Sequence, residues 1–278
     1  MTSVVWAGGR LRDPGEPVVS ALDPGLTTGL GVFETCAVSD GHAFALTRHL
    51  DRLAASLRAL DLPMVDLDEA RAGVAAVLAA GGAALGRVRV TVTPGTPGAG
   101  RPTLLVTGGP APVRGPAHVV RSAWVRGERS PLAGHKSTSY AADVLALAAA
   151  TRAGGNEAVL ANSRGALCEG TGSNVFVERD GALLTPELSS GCLPGVTRAL
   201  VLEWAAAADL PVREAPADAL PWSVLDDVAG GAAHLALSGS LRGFVAVRVL
   251  DGAPVSPGPL VDEVARLFAE RAGADPDP

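Results

Sequence analysis

The segment from residue 108 to 117, GGPAPVRGPA, is dense in glycine and proline and interrupts the periodic hydrophobic pattern on either side of it. Helices and central strands rarely tolerate such a run, because proline lacks a backbone N–H and glycine loses much conformational entropy on ordering. The segment therefore predicts a boundary between two lobes. We expect a smaller N-terminal lobe over residues 1–112 and a larger C-terminal lobe over residues 113–278.

The N-terminal lobe has both strand and helix patterns. Residues 32–46, VFETCAVSDGHAFAL, predict a hairpin, because apolar positions roughly alternate around Asp40-Gly41 and Asp-Gly is a strong hairpin signal. Leucines at three- and four-residue spacing predict the first of two helices. The predicted elements after the hairpin are helices over 48–60 and 67–80 and strands over 86–92 and 102–108.

The C-terminal lobe is predicted to be a mainly antiparallel sheet with helices packed around it, which makes the fold class α+β. Short strand-like segments fill residues 156–184, and PGVTR predicts a helix that begins near Pro194. A strand is expected near 119–125 and a helix over about 139–153. The tail ADPDP is expected to be frayed.

Composition and charge favour small-molecule chemistry. The formal net charge is -6 with no basic cluster, which argues against nucleic acid and anionic membrane as partners. No apolar run reaches the roughly 18 residues that a transmembrane helix needs, and the N-terminus lacks an export pattern, so we expect a cytoplasmic protein. The three cysteines are far apart and the five histidines have no ligand spacing, so we expect reduced thiols and no metal.

Lys136 is the only lysine among 23 lysines and arginines, and it lies in the segment HKSTSY with the only tyrosine, Tyr140. A deprotonated amine can form an imine with an aldehyde and later act as a base, whereas a guanidinium does neither at ordinary pH. The aldehyde that proteins most often hold in this way is pyridoxal phosphate (PLP). We therefore predict that Lys136 is the catalytic lysine of a PLP enzyme.

Six segments, in order, resemble the class IV aminotransferase family of fold type IV PLP enzymes. This family includes branched-chain and D-amino acid aminotransferases and 4-amino-4-deoxychorismate lyase. The resemblance implies a two-lobed fold and a homodimer. The segments are GLGVFET (29–35), RHLDRL (48–53), HKSTSY (135–140), NEAVLANSRGALCEGTGSNVFV (156–177), LLTPELSSGCLPGVTR (183–198) and LALSGSLRG (235–243).

The resemblance also implies roles for individual residues. Lys136 matches the lysine that holds the cofactor, and Glu169 matches the glutamate that faces the pyridine nitrogen. The other implied cofactor contacts are Arg52, Val196, Thr197 and Ser240 at the phosphate and Tyr140 near the ring. From the residues alone, each has a plainer alternative: a solvated charge at Glu169, an exposed helix charge at Arg52, a helix cap at Thr197, a turn serine at Ser240 and a half-buried aromatic at Tyr140.

The segments GLGVFETCAV and SLRGFVAV look more like lyase-type members than branched-chain enzymes. Thr28, Leu30 and Ala37 stand where many relatives have aromatic or charged groups, which suggests weakened carboxylate binding. We expect Phe33, Thr28, Arg89 and Arg242 to be the candidate substrate contacts.

The first hypothesis is therefore a lyase that converts aminodeoxychorismate to 4-aminobenzoate and pyruvate, as in folate biosynthesis. The alternatives are an aminotransferase for a small amino acid or amine, and a PLP-binding homologue without turnover.

Overall fold

The computed structural model describes residues 3–112 and 115–278. The described residues fall into two compact units. Unit 1 is drawn from Met1–Val113, His135–Tyr140 and Asp275–Pro278, and unit 2 from Arg114–Gly134 and Ala141–Ala274. The division near residue 113 accompanies the Gly/Pro-dense segment, and the short segment that contains Lys136 groups with the N-terminal residues rather than with its sequence neighbours.

Unit 1 is built on a sheet of six strands within the described residues, in the order β2-β1-β6-β5-β3-β4. All of its strand pairs are antiparallel. The strands are β1 (Val4–Ala7), β2 (Arg10–Arg12), β3 (Val32–Ser39), β4 (His42–Ala43), β5 (Arg87–Thr93) and β6 (Thr103–Gly109). The helices are α1 (Pro24–Thr27), α2 (Leu46–Ala59) and α3 (Leu67–Gly81), and a 3₁₀ turn follows at Gly82–Ala84.

The local sequence explains most of these elements. Asp40 and Gly41 have φ of 52° and 78°, the left-handed conformation that a tight two-residue hairpin turn requires, and β3 and β4 pair across it as predicted. Leu50, Leu53 and Leu57 of α2 are buried in the hydrophobic core of the unit, as their spacing predicted. Helix α3 begins after its N-cap residue Asp66, whose carboxylate accepts from the Asp68 backbone N–H at 2.8 Å.

Unit 2 contains a sheet of nine strands within the described residues. The strands are β7 (Ala117–Arg121), β8 (Glu157–Ala161), β9 (Leu167–Gly170), β10 (Asn174–Arg179), β11 (Ala182–Pro186), β12 (Val212–Ala215), β13 (His234–Gly239), β14 (Gly243–Leu250) and β15 (Ala253–Pro254). The helices are α4 (Ala141–Arg152), α5 (Val196–Ala207), α6 (Val224–Ala229) and α7 (Pro259–Ala274), with 3₁₀ turns at Leu188–Ser190 and Ala217–Ala219.

Six strands of unit 2 close into a ring in the order β10-β13-β14-β7-β8-β9, because β9 also pairs with β10. Only the β14–β7 and β7–β8 pairs of this ring are parallel. A closed sheet has no free edge within the ring, and its interior fills with side chains such as Val119, Val175 and Leu237. The predicted α+β class with a mainly antiparallel sheet or barrel is confirmed.

Four details differ from the sequence-based expectations. The strand expected near 119–125 covers Ala117–Arg121, and a turn follows in which Ser122 Oγ accepts from the Trp124 N–H at 3.0 Å. Pro194 precedes Gly195, the N-cap of α5, and so lies outside the first turn. The N-terminal strands β1 and β2 were not predicted. The expectation of a frayed tail is wrong, because residues 276–278 bond to the start of α2.

Two further findings concern membrane-spanning helices and the cysteines. Among the described residues, no helix combines the length and the apolar character required to cross a bilayer. Cys36, Cys168 and Cys192 are buried free thiols, in agreement with the expectation that the cysteines are reduced. Burial raises the pKa of each of these thiols, to about 11 for Cys192. A raised pKa keeps the thiols protonated and unreactive at neutral pH.

Candidate functional site

The segment that carries Lys136 is fixed to the start of β3 in unit 1. The Phe33 N–H donates to the Lys136 carbonyl at 2.9 Å, and the Thr138 N–H donates to the Gly31 carbonyl at 2.8 Å. The Thr138 and Ser139 hydroxyls both donate to the Gly29 carbonyl, at 2.7 and 2.9 Å. These bonds hold the lysine backbone as a short additional strand beside β3, as the isolated bridge between Val32 and Ser137 also indicates.

Gly31 is required for this close approach. A Cβ added at Gly31 would lie 2.8 Å from the Val92 carbonyl oxygen and 3.1 Å from Thr138 Oγ1. A side chain at this position would therefore collide with the backbone of β5 and crowd Thr138 of the lysine segment.

Lys136 lies in a cluster of aromatic and cationic side chains. Its Nζ is 4.5 Å from the centre of the Phe33 ring and 5.3 Å from the centre of the Tyr140 ring. The two rings meet edge to face, with centroids 5.4 Å apart. The Arg89 guanidinium carbon lies 3.6 Å from the Phe33 ring centroid. The structure therefore brings together Lys136, Tyr140, Phe33 and Arg89, all of which were predicted site residues.

Arg89 is well placed to bind an anion. Its Nε donates to Thr91 Oγ1 at 3.3 Å, and no acidic side chain among the described residues forms an ion pair with it. Burial and the nearby Arg87 lower the pKa of Arg89 from its usual value. A desolvated guanidinium without a carboxylate partner gains strongly from binding one, because the interaction is both charge-assisted and shielded from water.

Arg52 is held by a buried carboxylate, which excludes the alternative of an exposed helix charge. Its Nε and Nη2 donate to the two Glu34 oxygens at 2.8 and 2.6 Å, and His49 Nδ1 lies 2.6 Å from Glu34 Oε2. Glu34 and His49 are each 1% exposed. Burial alone would raise the pKa of Glu34, but Arg52 and His49 outweigh it and lower that pKa to about 2. Glu34 is therefore ionised, and its contacts fix the guanidinium in one orientation.

The protonation states of the two partners follow from the same contacts. Burial lowers the pKa of His49, so at neutral pH its ring is neutral and Nδ1 donates its proton to Glu34. Burial also opposes the charge on Arg52, but the Glu34 carboxylate outweighs it and raises the Arg52 pKa. We name Glu34, His49 and Arg52 the unit 1 triad.

Glu169 is a buried carboxylate at the end of β9 in unit 2, which excludes the alternative of a solvated charge. It is 7% exposed, and its Oε2 accepts from the Leu193 N–H at 2.9 Å. Its Oε1 lies 2.9 Å from Arg126 Nε in an ion pair. Arg126 also pairs with Asp143 at 2.6 Å. Burial opposes the charge on Arg126, but Glu169 and Asp143 outweigh it and raise the Arg126 pKa.

The start of α5 lies near the same end of the unit 2 sheet. Asn174 pairs with Glu169 on β9 and with Ser238 on β13, and its Nδ2 donates to the Leu193 carbonyl at 2.8 Å. Gly195, the N-cap of α5, lies so close to Asn174 that an added Cβ would be 2.0 Å from Oδ1. The backbone of the 193–195 turn is therefore held by the sheet, and α5 begins at a fixed place.

The other predicted site residues lie at the start of α5, after β13 and after α1. Val196 and Thr197 are buried in the first turn of α5, and Ser240 follows β13 two residues after Ser238. Arg242 donates to Asn156 at 3.3 and 3.4 Å, so its guanidinium already has polar partners. Thr28 is the C-cap that follows α1, and its hydroxyl donates to the Pro24 carbonyl at 2.8 Å.

The predicted residues are divided between the units. Unit 1 holds Thr28, Phe33, Arg52, Arg89, Lys136 and Tyr140, and unit 2 holds Glu169, Val196, Thr197, Ser240 and Arg242.

Sequence reasoning missed Glu34, His49 and Arg126. His49 and Arg52 are three residues apart, so they share a face of the helix, and this spacing could have suggested the pair. Glu34 lies on the same face of β3 as the buried Val32 and Cys36, where a carboxylate needs a partner. Nothing in the residues around Arg126 distinguishes it from a surface arginine.

Comparisons with known proteins agree on one family. The family model for amino-transferase class IV matches residues 31–250. The chain belongs to the class IV aminotransferase family. The enzymes of this family depend on PLP.

Three similar proteins illustrate the range of this aminotransferase family. A Methanocaldococcus jannaschii protein provisionally named a branched-chain-amino-acid aminotransferase is 29% identical over 96% of this chain and 94% of its own length. A bifunctional aminodeoxychorismate lyase / D-amino acid transaminase of Mycobacterium tuberculosis is 32% identical over 73% of this chain and 78% of its own. A PLP-bound "hypothetical aminotransferase" from M. tuberculosis has a TM-score of 0.85 at 28% identity, covering 96% of this chain and 97% of its own.

Proposed function

We propose that this member of the family is an aminotransferase for an amine that carries a carboxylate, with Lys136 as the catalytic residue. The observation that supports this most directly is the position of Arg89. Its guanidinium lies over Phe33, and the Lys136 amine lies 4.5 Å from the centre of the same ring. A cation of this kind can hold a substrate carboxylate while the lysine acts on the adjacent carbon.

The chemistry of the available groups fits PLP. Guanidinium and helix N-terminal N–H groups are the usual donors to phosphate, and Arg52 with the Val196 and Thr197 backbone supplies both kinds. Ser240 is the proposed hydroxyl contact, and Tyr140 the proposed ring contact. Glu169, whose Oε1 forms an ion pair with Arg126, is the carboxylate proposed for the protonated pyridine nitrogen. When bound, the cofactor supplies an electron sink for the carbon beside the substrate amine.

Lys136 has two tasks in this proposal. Its amine would hold the cofactor through the aldehyde, and once a substrate amine had taken that place the free Nζ would accept the proton of the substrate carbon beside the amine. The bonds from Thr138 and Ser139 to Gly29 hold the lysine backbone, so that only the side chain has to move.

A second candidate is the aminodeoxychorismate lyase reaction. It is favoured by the 32% identical mycobacterial relative, which is named as both a lyase and a D-amino acid transaminase. The lyase-like segments GLGVFETCAV and SLRGFVAV support it as well. The sequence argument against transamination was the loss of carboxylate-binding groups at Thr28, Leu30 and Ala37. Arg89 can replace that function, which is why we rank the aminotransferase first.

A dependence on keto acid separates the two reactions. We expect turnover of a carboxylate-bearing amine to stop after one equivalent per site and to resume when 2-oxoglutarate or pyruvate is added. Arg89→Gln should raise KM for this amine by about tenfold or more, because one charge-assisted contact is lost. Many turnovers of aminodeoxychorismate to 4-aminobenzoate and pyruvate without keto acid would replace the proposal with the lyase.

Covalent labelling tests the role of Lys136. Borohydride reduction of the PLP-loaded protein should fix the cofactor on the peptide that contains Lys136, which is the only lysine side chain available. Lys136→Arg is the matched control, because it keeps the positive charge but cannot form the bond. Label found only at the N-terminal amine would contradict the assignment, and labelling without turnover of any amine would favour the non-catalytic homologue.

We also propose a homodimer located in the cytoplasm. Trp124, Val125, Val144 and Leu145 of unit 2 are each more than half exposed. Trp124 lines a small depression together with Ala146, which follows Val144 and Leu145 on α4. Exposed apolar side chains in one region are typical of a contact surface. Sedimentation analysis at micromolar concentration should give a mass close to twice 27.9 kDa.

A further inference from the structure

Helix α2, which carries His49 and Arg52, has no cap from its own sequence. Its N-cap residue is Ala45, in the left-handed conformation with φ of 53°, and no side chain near it in sequence accepts from the first turn. The first N–H groups of a helix have no partners within the helix, and a serine, threonine, aspartate or asparagine usually satisfies them. The N-cap residue Ala45 has no polar side chain, so the acceptor for the first turn must come from elsewhere in the chain.

The tail supplies the missing cap from about 230 residues away in sequence. Asp277 Oδ1 accepts from the Thr47 N–H at 2.8 Å, and Oδ2 accepts from the Thr47 hydroxyl at 2.6 Å. The Ala45 N–H donates to the Pro276 carbonyl at 2.8 Å, and Arg48 Nε donates to Pro278 O at 2.7 Å. A carboxylate at this end of a helix also interacts favourably with the helix dipole.

The first turn of α2 is connected to Arg52 by a short series of contacts. His49 lies two residues after Thr47 and bonds to Glu34, and Glu34 binds both Nε and Nη2 of Arg52. If the first turn frays, His49 leaves Glu34, and the carboxylate that orients Arg52 loses one of its partners. The ordering of Arg52 therefore depends on the first turn of the helix.

We propose that Asp277 is a positioning residue for the cofactor phosphate, acting through the first turn of α2 and the unit 1 triad. This inference rests on the proposed role of Arg52 as a phosphate contact. Asp277 acts on the phosphate without contacting the cofactor. It closes the helix start, and the closed start keeps the Arg52 guanidinium in the orientation that Glu34 sets.

The test compares PLP with pyridoxal, which lacks the phosphate, in full-length apoprotein. Asp277→Ala should raise the Kd for PLP by about fivefold to tenfold, because a helix cap is lost. It should leave the Kd for pyridoxal unchanged within about twofold, since no phosphate is bound. Asp277→Asn keeps one acceptor for the Thr47 N–H and should restore part of the PLP affinity. Glu270→Gln removes an exposed acid elsewhere and is the control, with both constants unchanged.

Amide hydrogen exchange on the apoprotein gives a readout independent of the cofactor. Asp277→Ala should speed exchange in the peptide that covers residues 44–50, and Glu270→Gln should not. Unchanged exchange would overturn the inference, and so would an equal loss of PLP and pyridoxal affinity, which indicates a general structural effect.

Arg52→Ala distinguishes failure of the inference from failure of the proposed function. If Arg52→Ala weakens PLP selectively while Asp277→Ala does not, the inference fails and the role of Arg52 stands. If Arg52→Ala leaves the preference for PLP over pyridoxal unchanged, the phosphate role of Arg52 and the inference both fail.

Discussion

Glu34 is a fully buried side chain that keeps its negative charge because Arg52 and His49 bind it. Its pKa is lowered from 4.5 to about 2, so the folded protein holds the carboxylate ionised where the unfolded chain would take up a proton. The stabilisation is therefore present above about pH 4.5 and is lost as the pH falls toward 2. His49, whose pKa is also lowered, acts in the same direction at higher pH, because below about pH 6.5 the unfolded chain binds its proton first.

Replacement of Glu34 should show this dependence. We expect Glu34→Ala to reduce the free energy of unfolding at pH 7 by about 3 to 5 kcal/mol, because Arg52 remains buried without its carboxylate. The difference between wild type and variant should shrink as the pH is lowered below 4.5. Urea denaturation of apoprotein between pH 7 and pH 3.5 measures it. A difference that stays constant over this range would mean that Glu34 does not carry the charge assigned to it.

Glu169 and Arg52 should affect different steps, because the role proposed for Glu169 is at the pyridine nitrogen and the role proposed for Arg52 is at the phosphate. Glu169→Ala should retain PLP but lower turnover by about 100-fold or more, since a charge placed to stabilise the reacting state is removed. Arg52→Ala should weaken PLP binding by about 1.5 to 3 kcal/mol. Absorbance titration and steady-state kinetics at saturating PLP separate these effects. Wild-type rates in Glu169→Ala would refute its assignment.

At the scale of the element, the start of α5 depends on Gly195. A Cβ there would meet Asn174 Oδ1 at 2.0 Å, so Gly195→Ala must shift the turn that places the Val196 and Thr197 N–H groups. We expect about 1 to 3 kcal/mol of lost stability and weaker PLP binding. Gly273→Ala in α7 is the matched control, because nothing lies within 4 Å of the added Cβ, and it should be neutral or slightly stabilising. Equal melting temperatures for the two variants would contradict the role given to Gly195.

The sequence predicted correctly those elements that are determined by residues close together in the chain. The Asp40-Gly41 turn, the leucine stripe of α2 and the helix α3 each depend on residues close in sequence, and each was found. The end of β7 at Arg121 depends on where its pairing with β8 and β14 stops, which the strand-like pattern of residues 119–125 does not show. The tail was expected to fray because its sequence is poor in apolar residues, but its order comes from α2, over 200 residues away.

At the scale of the molecule, the sequence identified the side chains of the candidate site better than it identified the side chains that bind them. Lys136 stands out as the only lysine, and Glu169 through its motif. Arg126, by contrast, is one of many arginines, and only the fold places it beside Glu169 and Asp143. Partners of this kind are set by strand register, because residues on neighbouring strands meet without any fixed spacing in the chain.

The assignment of His135–Tyr140 to unit 1 has a consequence for the order in which the chain is made. The residues before and after this segment belong to unit 2, so the chain leaves unit 2 for six residues and returns. When synthesis has reached residue 113, β3 has been made, but not the segment that bonds to Gly29, Gly31 and Phe33. Unit 1 is therefore completed only after unit 2 has been translated, because residues 275–278 follow the unit 2 residues in the chain.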